Sequence, residues 1–180
     1  MKRKWMLLGM LLMCLLTVAQ NPCPQVIPAL QQWKGGKGTL TLPAQGTIVI
    51  NPSDGEALNK TASILADDLK ELLGWEYTIT TGKAKKNTIF LSLSQPDEQL
   101  GKEGYVLAVH NQVNIEAPTP QGVFWGTRTL LQMLHRQKAA LAKGVTRDWP
   151  EFPSRGFMLD VGRKFFTLDY LEEQIKVMSF

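Results

Sequence analysis

The stretch Ser154–Phe180, SRGFMLDVGRKFFTLDYLEEQIKVMSF, decides how this chain is to be read. Its first part, GFMLDV, is an apolar run without alternation, the pattern of a strand buried on both faces of a parallel sheet. Thr167 then stands where a helix N-cap is wanted, and Asp169 lies near the positive end of that helix. Leu168, Leu171, Ile175 and Met178 fall on one face at helical spacing. The reading is a βα unit. A lone parallel strand leaves its edges and faces unpaired, so the unit is expected to open a larger α/β domain.

Upstream of it, AKGVTRDWPEFPSRG carries two prolines and reads as a linker or domain junction. Before that junction the periodicity describes a separate α+β module. NPCPQVIPALQQWKGGKG is an extended lead-in rich in proline and glycine, and TLTLPAQGTIVI predicts strands on both sides of a turn at Pro43–Gly46. From Glu56 to Leu73 the period becomes helical, with Leu58, Ala62, Leu65, Leu69 and Leu72 on one face and Gly74 as the stop. EYTITTG, NTIFLSLS and GYVLAVHNQVNIEA predict strands, the last folded into a hairpin about His110–Gln112. Thr119 caps a second helix that starts at Pro120, with Val123, Thr127, Leu130, Leu131 and Leu134 inward. A sheet with two helices is a complete layered domain, and this one is expected to end near residue 140.

The N-terminus has its own logic. A basic head, Lys2-Arg3-Lys4, precedes an apolar run that falls short of the ~20 residues needed to cross a bilayer. Thr17 and Ala19 supply small residues at a cleavage point, so residues 1–19 read as a secretory signal peptide. Its removal takes away three of the charges behind the formal +4 and leaves a nearly neutral chain, which gives no reason to expect nucleic acid as a partner. Cys14 is discarded with it, and Cys23 alone offers no internal disulfide. His110 and His135 stand singly, and no Cys/His group has metal-ligand spacing. Lys83–Lys86 beside Gly82 reads as a solvated turn.

DWPEFPSRGFMLDVGRKFFTLDYLEEQIKVM resembles the start of the catalytic barrel in glycoside hydrolase family 20, the β-N-acetylhexosaminidases. EGYVLAVHNQVNIEAPTPQGVFWGTRTLLQML resembles the end of the α+β domain that precedes that barrel, and the two segments stand in the family's order and separation. The resemblance implies a signal peptide at 1–19, an α+β N-terminal domain over 20–145, and over 146–180 the first strand and helix of a TIM (β/α)8 barrel. It further implies an exported enzyme acting on glycans with terminal β-linked N-acetylhexosamine, without cofactor or metal.

In that family the substrate's own 2-acetamido oxygen attacks the anomeric carbon, an exception to the two-carboxylate scheme. The enzyme supplies an adjacent Asp-Glu pair far along the barrel, expected beyond Phe180, so no catalytic residue is assigned to this chain. The adjacent acids Asp67–Asp68 and Glu172–Glu173 sit within amphipathic helices and are read as solvated faces. One position carries over as substrate-binding: Arg155 matches the arginine that holds the O3 and O4 hydroxyls of the terminal sugar, a task suited to a planar fork of donors. Asp160 is read as architectural first and substrate-facing second, with Arg163 as a candidate partner. Lys164 departs from the histidine many members carry. The competing reading is a non-catalytic α+β module that binds a glycan or a protein. Related hydrolases with a similar leading domain, such as O-linked N-acetylglucosaminidases and α-glucuronidases, fit the RGFMLDVGRKFF motif less well.

Overall fold

The computed structural model describes residues 20–137 and 140–179. The signal-peptide reading falls on residues 1–19 and lies outside the described residues. Seven strands and three helices follow in chain order: β1 (Gln32–Thr41), β2 (Gln45–Ile50), α1 (Gly55–Leu73), β3 (Glu76–Thr81), β4 (Ile89–Leu93), β5 (Tyr105–Val109), β6 (Val113–Ala117), α2 (Pro120–Gln137), β7 (Ala140–Asp148) and α3 (Leu168–Met178). The strands form one mixed sheet in the order β1-β7-β5-β6-β4-β2-β3.

Local chemistry explains most of these elements. In α1, Leu58, Ala62, Leu65 and Leu69 are wholly buried, while Leu72 of the expected stripe turns partly outward. Gly74 ends the helix in the left-handed conformation (φ 69°), and its N–H and that of Trp75 close on the carbonyls of Lys70 and Leu69. In α2, Thr119 caps as expected: its hydroxyl accepts from the Gly122 N–H at 3.1 Å. The inward set Val123, Thr127, Leu130, Leu131 and Leu134 is buried throughout. Both helices press on Ile48, Ile50, Ile89, Leu91, Leu107 and Ile115 of the sheet, which makes one core between two layers. The hairpin is where it was expected, with β5 antiparallel to β6 about residues 110–112.

Two pairings are tertiary. β1 and β2 are nearly consecutive in sequence, yet β1 lies at one edge beside β7 and β2 lies between β3 and β4. Five strand spacings in a flat sheet would be about 24 Å. The four peptide links from Thr41 to Gln45 reach at most about 14 Å. The sheet must therefore curl so that the end of β1 approaches the start of β2, and the register shift between Gly35 and Thr39 lies in the curled ribbon.

The C-terminal third corrects the sequence reading in two places. The linker expected at 142–156 is strand as far as Asp148, because β7 is held between β1 and β5. Strand β7 thus runs past both residue 140 and residue 145. Beyond it, the strand expected over GFMLDV is not formed: residues 155–161 carry no ladder, since no neighbouring parallel strand is present among the described residues. The helix α3 does form. Thr167 caps it, accepting from the Tyr170 N–H, but Leu168, Ile175 and Met178 of its stripe stay exposed.

Candidate functional site

The site begins where a helix and a turn meet at unusually short range. A Cβ on Gly122, in the first turn of α2, would lie 2.4 Å from the Gly104 carbonyl oxygen. A Cβ on Gly104 would lie 2.5 Å from the Leu100 carbonyl oxygen and 2.9 Å from that of Asp148. Only residues without side chains allow this approach. It sets the 97–104 turn against the N-terminus of α2 and the end of β7, and the Thr119 hydroxyl adds a bond of 2.5 Å to the Lys102 carbonyl.

That contact fixes Glu103. One of its carboxylate oxygens accepts from Gln121 Nε2 at 2.7 Å, and the other accepts from Arg155 Nη2 at 2.8 Å. The Arg155 guanidinium also donates to the Phe152 carbonyl at 3.0 Å and lies over the Trp125 ring, 5.7 Å from its centroid. Its side chain is 44% exposed, and a guanidinium has five donors, so donors remain for a ligand. Beside it, Leu100, Glu103, Gln121, Trp149, Pro150 and Pro153 line a cleft of about 350 Å³. Arg155 therefore stands at the junction of the sheet domain with the segment that follows, anchored by residues of the domain.

The other residues named from sequence are not gathered there. Asp160 is exposed, pairs with Arg163 Nε at 2.5 Å and accepts from the Gly162 N–H at 2.9 Å. The arginine beside it holds its carboxyl below the usual carboxylate range. Its expected partner is thus its partner, in a turn and not in a strand. Lys164 lies over the Phe166 ring, and His110 and His135 are exposed, far apart in sequence. Glu172 and Glu173 are exposed on α3, as read. Asp68 is not on a solvated face: it is buried between the helices in an ion pair with Arg128 at 2.6 Å. No group of three or more His, Cys, Asp or Glu residues disposed to hold a metal occurs among the described residues.

Sequence reading passed over one adjacent Asp-Glu pair, Asp97–Glu98 in the β4–β5 connection. The structure gives Asp97 a full set of partners. Both its oxygens meet Arg147 Nη2 at 2.7 Å, and one accepts from the backbone N–H groups of Gln99 and Leu100. These bonds, led by that of Arg147, hold its carboxyl below the ordinary range. The aspartate of a catalytic Asp-Glu pair must leave its carboxylate oxygens to the substrate's acetamido group, and those of Asp97 are taken. Asp97 is thus a structural anchor for the turn that carries Glu103, and the signal for it was the arginine at the end of β7.

Comparison with known proteins identifies the family of the sheet domain. Residues 23–149 match the sequence family described as glycosyl hydrolase family 20, domain 2. The chain is 28% identical over 165 residues to a beta-hexosaminidase of Porphyromonas gingivalis, covering 86% of the chain and 21% of that protein. Similarity to a lacto-N-biosidase of Bifidobacterium bifidum is also 28%, over 158 residues, covering 87% of the chain and 14% of the relative. Among solved structures, a mutant Streptomyces plicatus beta-hexosaminidase in complex with its product GlcNAc superposes with a TM-score of 0.73 at 27% identity. That superposition covers 89% of the chain and 33% of the Streptomyces protein. The chain thus spans a third or less of the length of these relatives.

Proposed function

Because this chain belongs to glycoside hydrolase family 20, we propose that it is the N-terminal portion of an exported exo-β-N-acetylhexosaminidase. The match of residues 23–149 carries the reading, and the RGFMLDVGRKFF motif that follows supports a catalytic barrel as the next domain. In this reading residues 1–19 direct export, and the substrates are glycans ending in β-linked N-acetylglucosamine or N-acetylgalactosamine. Hydrolysis retains configuration, with the substrate's acetamido oxygen as nucleophile.

Arg155 is assigned to the O3 and O4 hydroxyls of the terminal sugar. Its anchoring by Glu103 and the Phe152 carbonyl limits the conformations lost on binding, and its remaining donors suit adjacent hydroxyls. The acid that protonates the leaving oxygen is assigned to an Asp-Glu pair outside these residues, since Asp97–Glu98 is ill suited to that task. The purified 180-residue chain should therefore release no chromophore from 4-nitrophenyl N-acetyl-β-glucosaminide. A longer reading frame carrying the pair should. In that longer protein Arg155→Ala should lower kcat/KM by about ten- to a hundredfold, as expected for loss of charged hydrogen bonds. Turnover by the short chain would overturn the assignment of the proton donor.

A further inference from the structure

The glycan site is expected at the end of the sheet where β5 begins; the opposite end has a different chemistry. There the β5–β6 tip, the 85–88 turn before β4, and the β1–β7 ribbon come together. The Asn87 N–H donates to the Asn111 carbonyl at 2.8 Å, and Lys143 Nζ reaches Asn111 Oδ1 at 3.5 Å. A Cβ on Gly36, the neighbour of Lys37, would touch Lys143. The turn contributes Lys85 and Lys86 and the ribbon Lys37 and Lys143, all exposed except the half-buried Lys143. Residues 34–39, 82–88, 109–114 and 140–145 contain no aspartate or glutamate.

The lysines at 85 and 86 are presented by a built turn. The Thr88 hydroxyl donates to the Lys85 carbonyl at 2.6 Å, and Asn87 closes the turn with φ 59°. From β7 across the hairpin to β4 is three strand spacings, roughly 14 Å, so the row suits a chain of charges more than a single ion. Exposed side chains of Asn87, His110 and Asn111 lie among the lysines and offer donors and acceptors to hydroxyl groups.

We propose that this end of the sheet, Lys37, Lys85, Lys86 and Lys143 about the β5–β6 tip, is a docking surface for an acidic polysaccharide. Charge complementarity selects a polyanion for this cluster, in a chain whose formal charge of +4 includes Lys2, Arg3 and Lys4 at the far N-terminus. The amides and imidazole between the lysines favour a carbohydrate, and none of the exposed large apolar residues of the chain lies in these segments to enter a bilayer. The surface is remote from Arg155: β5 and β7 carry Tyr105 and Asp148 at one end and Val109 and Gly144 at the other. It would hold an acidic glycan, or a matrix containing one, while the terminal sugar is cut elsewhere. The proposal rests on the hexosaminidase reading only for the choice of a carbohydrate, and its test reads binding, not hydrolysis.

The test measures affinity of the 180-residue chain for heparin and for neutral dextran at low salt, beside vesicles of phosphatidylglycerol and phosphatidylcholine. K85E/K86E is compared with K60E/K70E, which makes the same change of net charge on the exposed face of α1, with thermal unfolding confirming that both fold. Expected are binding to heparin alone, weakening as salt rises, at least a tenfold loss in K85E/K86E and less than a twofold loss in K60E/K70E. Equal losses in the two variants, no binding to heparin, or tighter binding to the vesicles would each overturn the proposal. Heparin binding with no hexosaminidase activity in the longer protein would leave this surface standing and remove the reading of the site.

Discussion

Asp97 sets how a single residue makes the domain sensitive to acid. Arg147 and two backbone N–H groups lower its pKa in the folded state relative to an ordinary aspartate near 3.9. Its contribution is fully present above that unfolded value and is lost as pH falls through the lower folded one. Asp54 behaves alike: burial alone would raise it, but bonds from the Leu93 N–H, Asn51 and Ser53 outweigh burial and lower it. Urea unfolding should show Asp97→Asn less stable than wild type at pH 7, with the gap closing as pH approaches 3. A gap independent of pH would remove the ion pair from the account. Asp68 makes a different case, because its pair with Arg128 is buried. Asp68→Ala removes the carboxylate that faces the buried Arg128 guanidinium and should cost about 3–5 kcal/mol by chemical denaturation, whereas replacing both partners with apolar residues should cost far less. Gly122→Ala drives a methyl into the Gly104 carbonyl and should cost about 1–3 kcal/mol, with Glu103 displaced as a consequence.

Among the elements, α3 and the segment before it behave unlike the rest. The sheet and its two helices bury their apolar faces on each other, whereas Met158 is 93% exposed, Phe165 85% and Leu168 68%. Among the described residues two ion pairs tie the C-terminal segment back to the domain: Arg155 to Glu103, and Lys176 to Glu71. Exposed ion pairs of this kind hold weakly. In the 180-residue chain, limited proteolysis read by mass spectrometry should cut first after Trp149 and leave a core close to residues 25–148. Amides of 156–161 as protected from hydrogen exchange as those of β5 and β6 would contradict an unpaired segment. The same apolar side chains form a patch prone to self-association in isolation.

At the scale of the whole molecule, the sheet domain separates two chemistries by the length of its strands. Its Asp148 end carries the glycine-to-glycine contact, Glu103 and the anchored Arg155, and its Gly144 end carries the lysines. With Arg155 assigned to the terminal sugar as proposed, its anchoring gives the first domain a share in ordering that site. Glu103→Gln in the longer protein should therefore raise KM more than it lowers kcat, by severalfold, while leaving the thermal midpoint nearly unchanged. A fall in kcat alone would place Glu103 nearer the chemistry than the junction geometry does.

The features legible in the chain alone are those that short-range physics controls. The stripes of α1 and α2, the caps at Thr119, Thr167 and Gly74, and the turn at 110–112 each depend on residues within a few positions, and each is found. The family resemblance was legible in the same way, because the motif around Arg155 is contiguous. Tertiary structure alone decided the pairing of β1 with β7, the strand character of residues 142–148, the burial of Asp68 and the capture of Asp97 by Arg147. Each of those joins residues dozens of positions apart, and a side chain reads as solvated or as strand-forming only once its distant neighbour is in place. GFMLDV is the converse case: its local pattern is that of a parallel strand, but a strand exists only through hydrogen bonds to another, and none of the described residues supplies them.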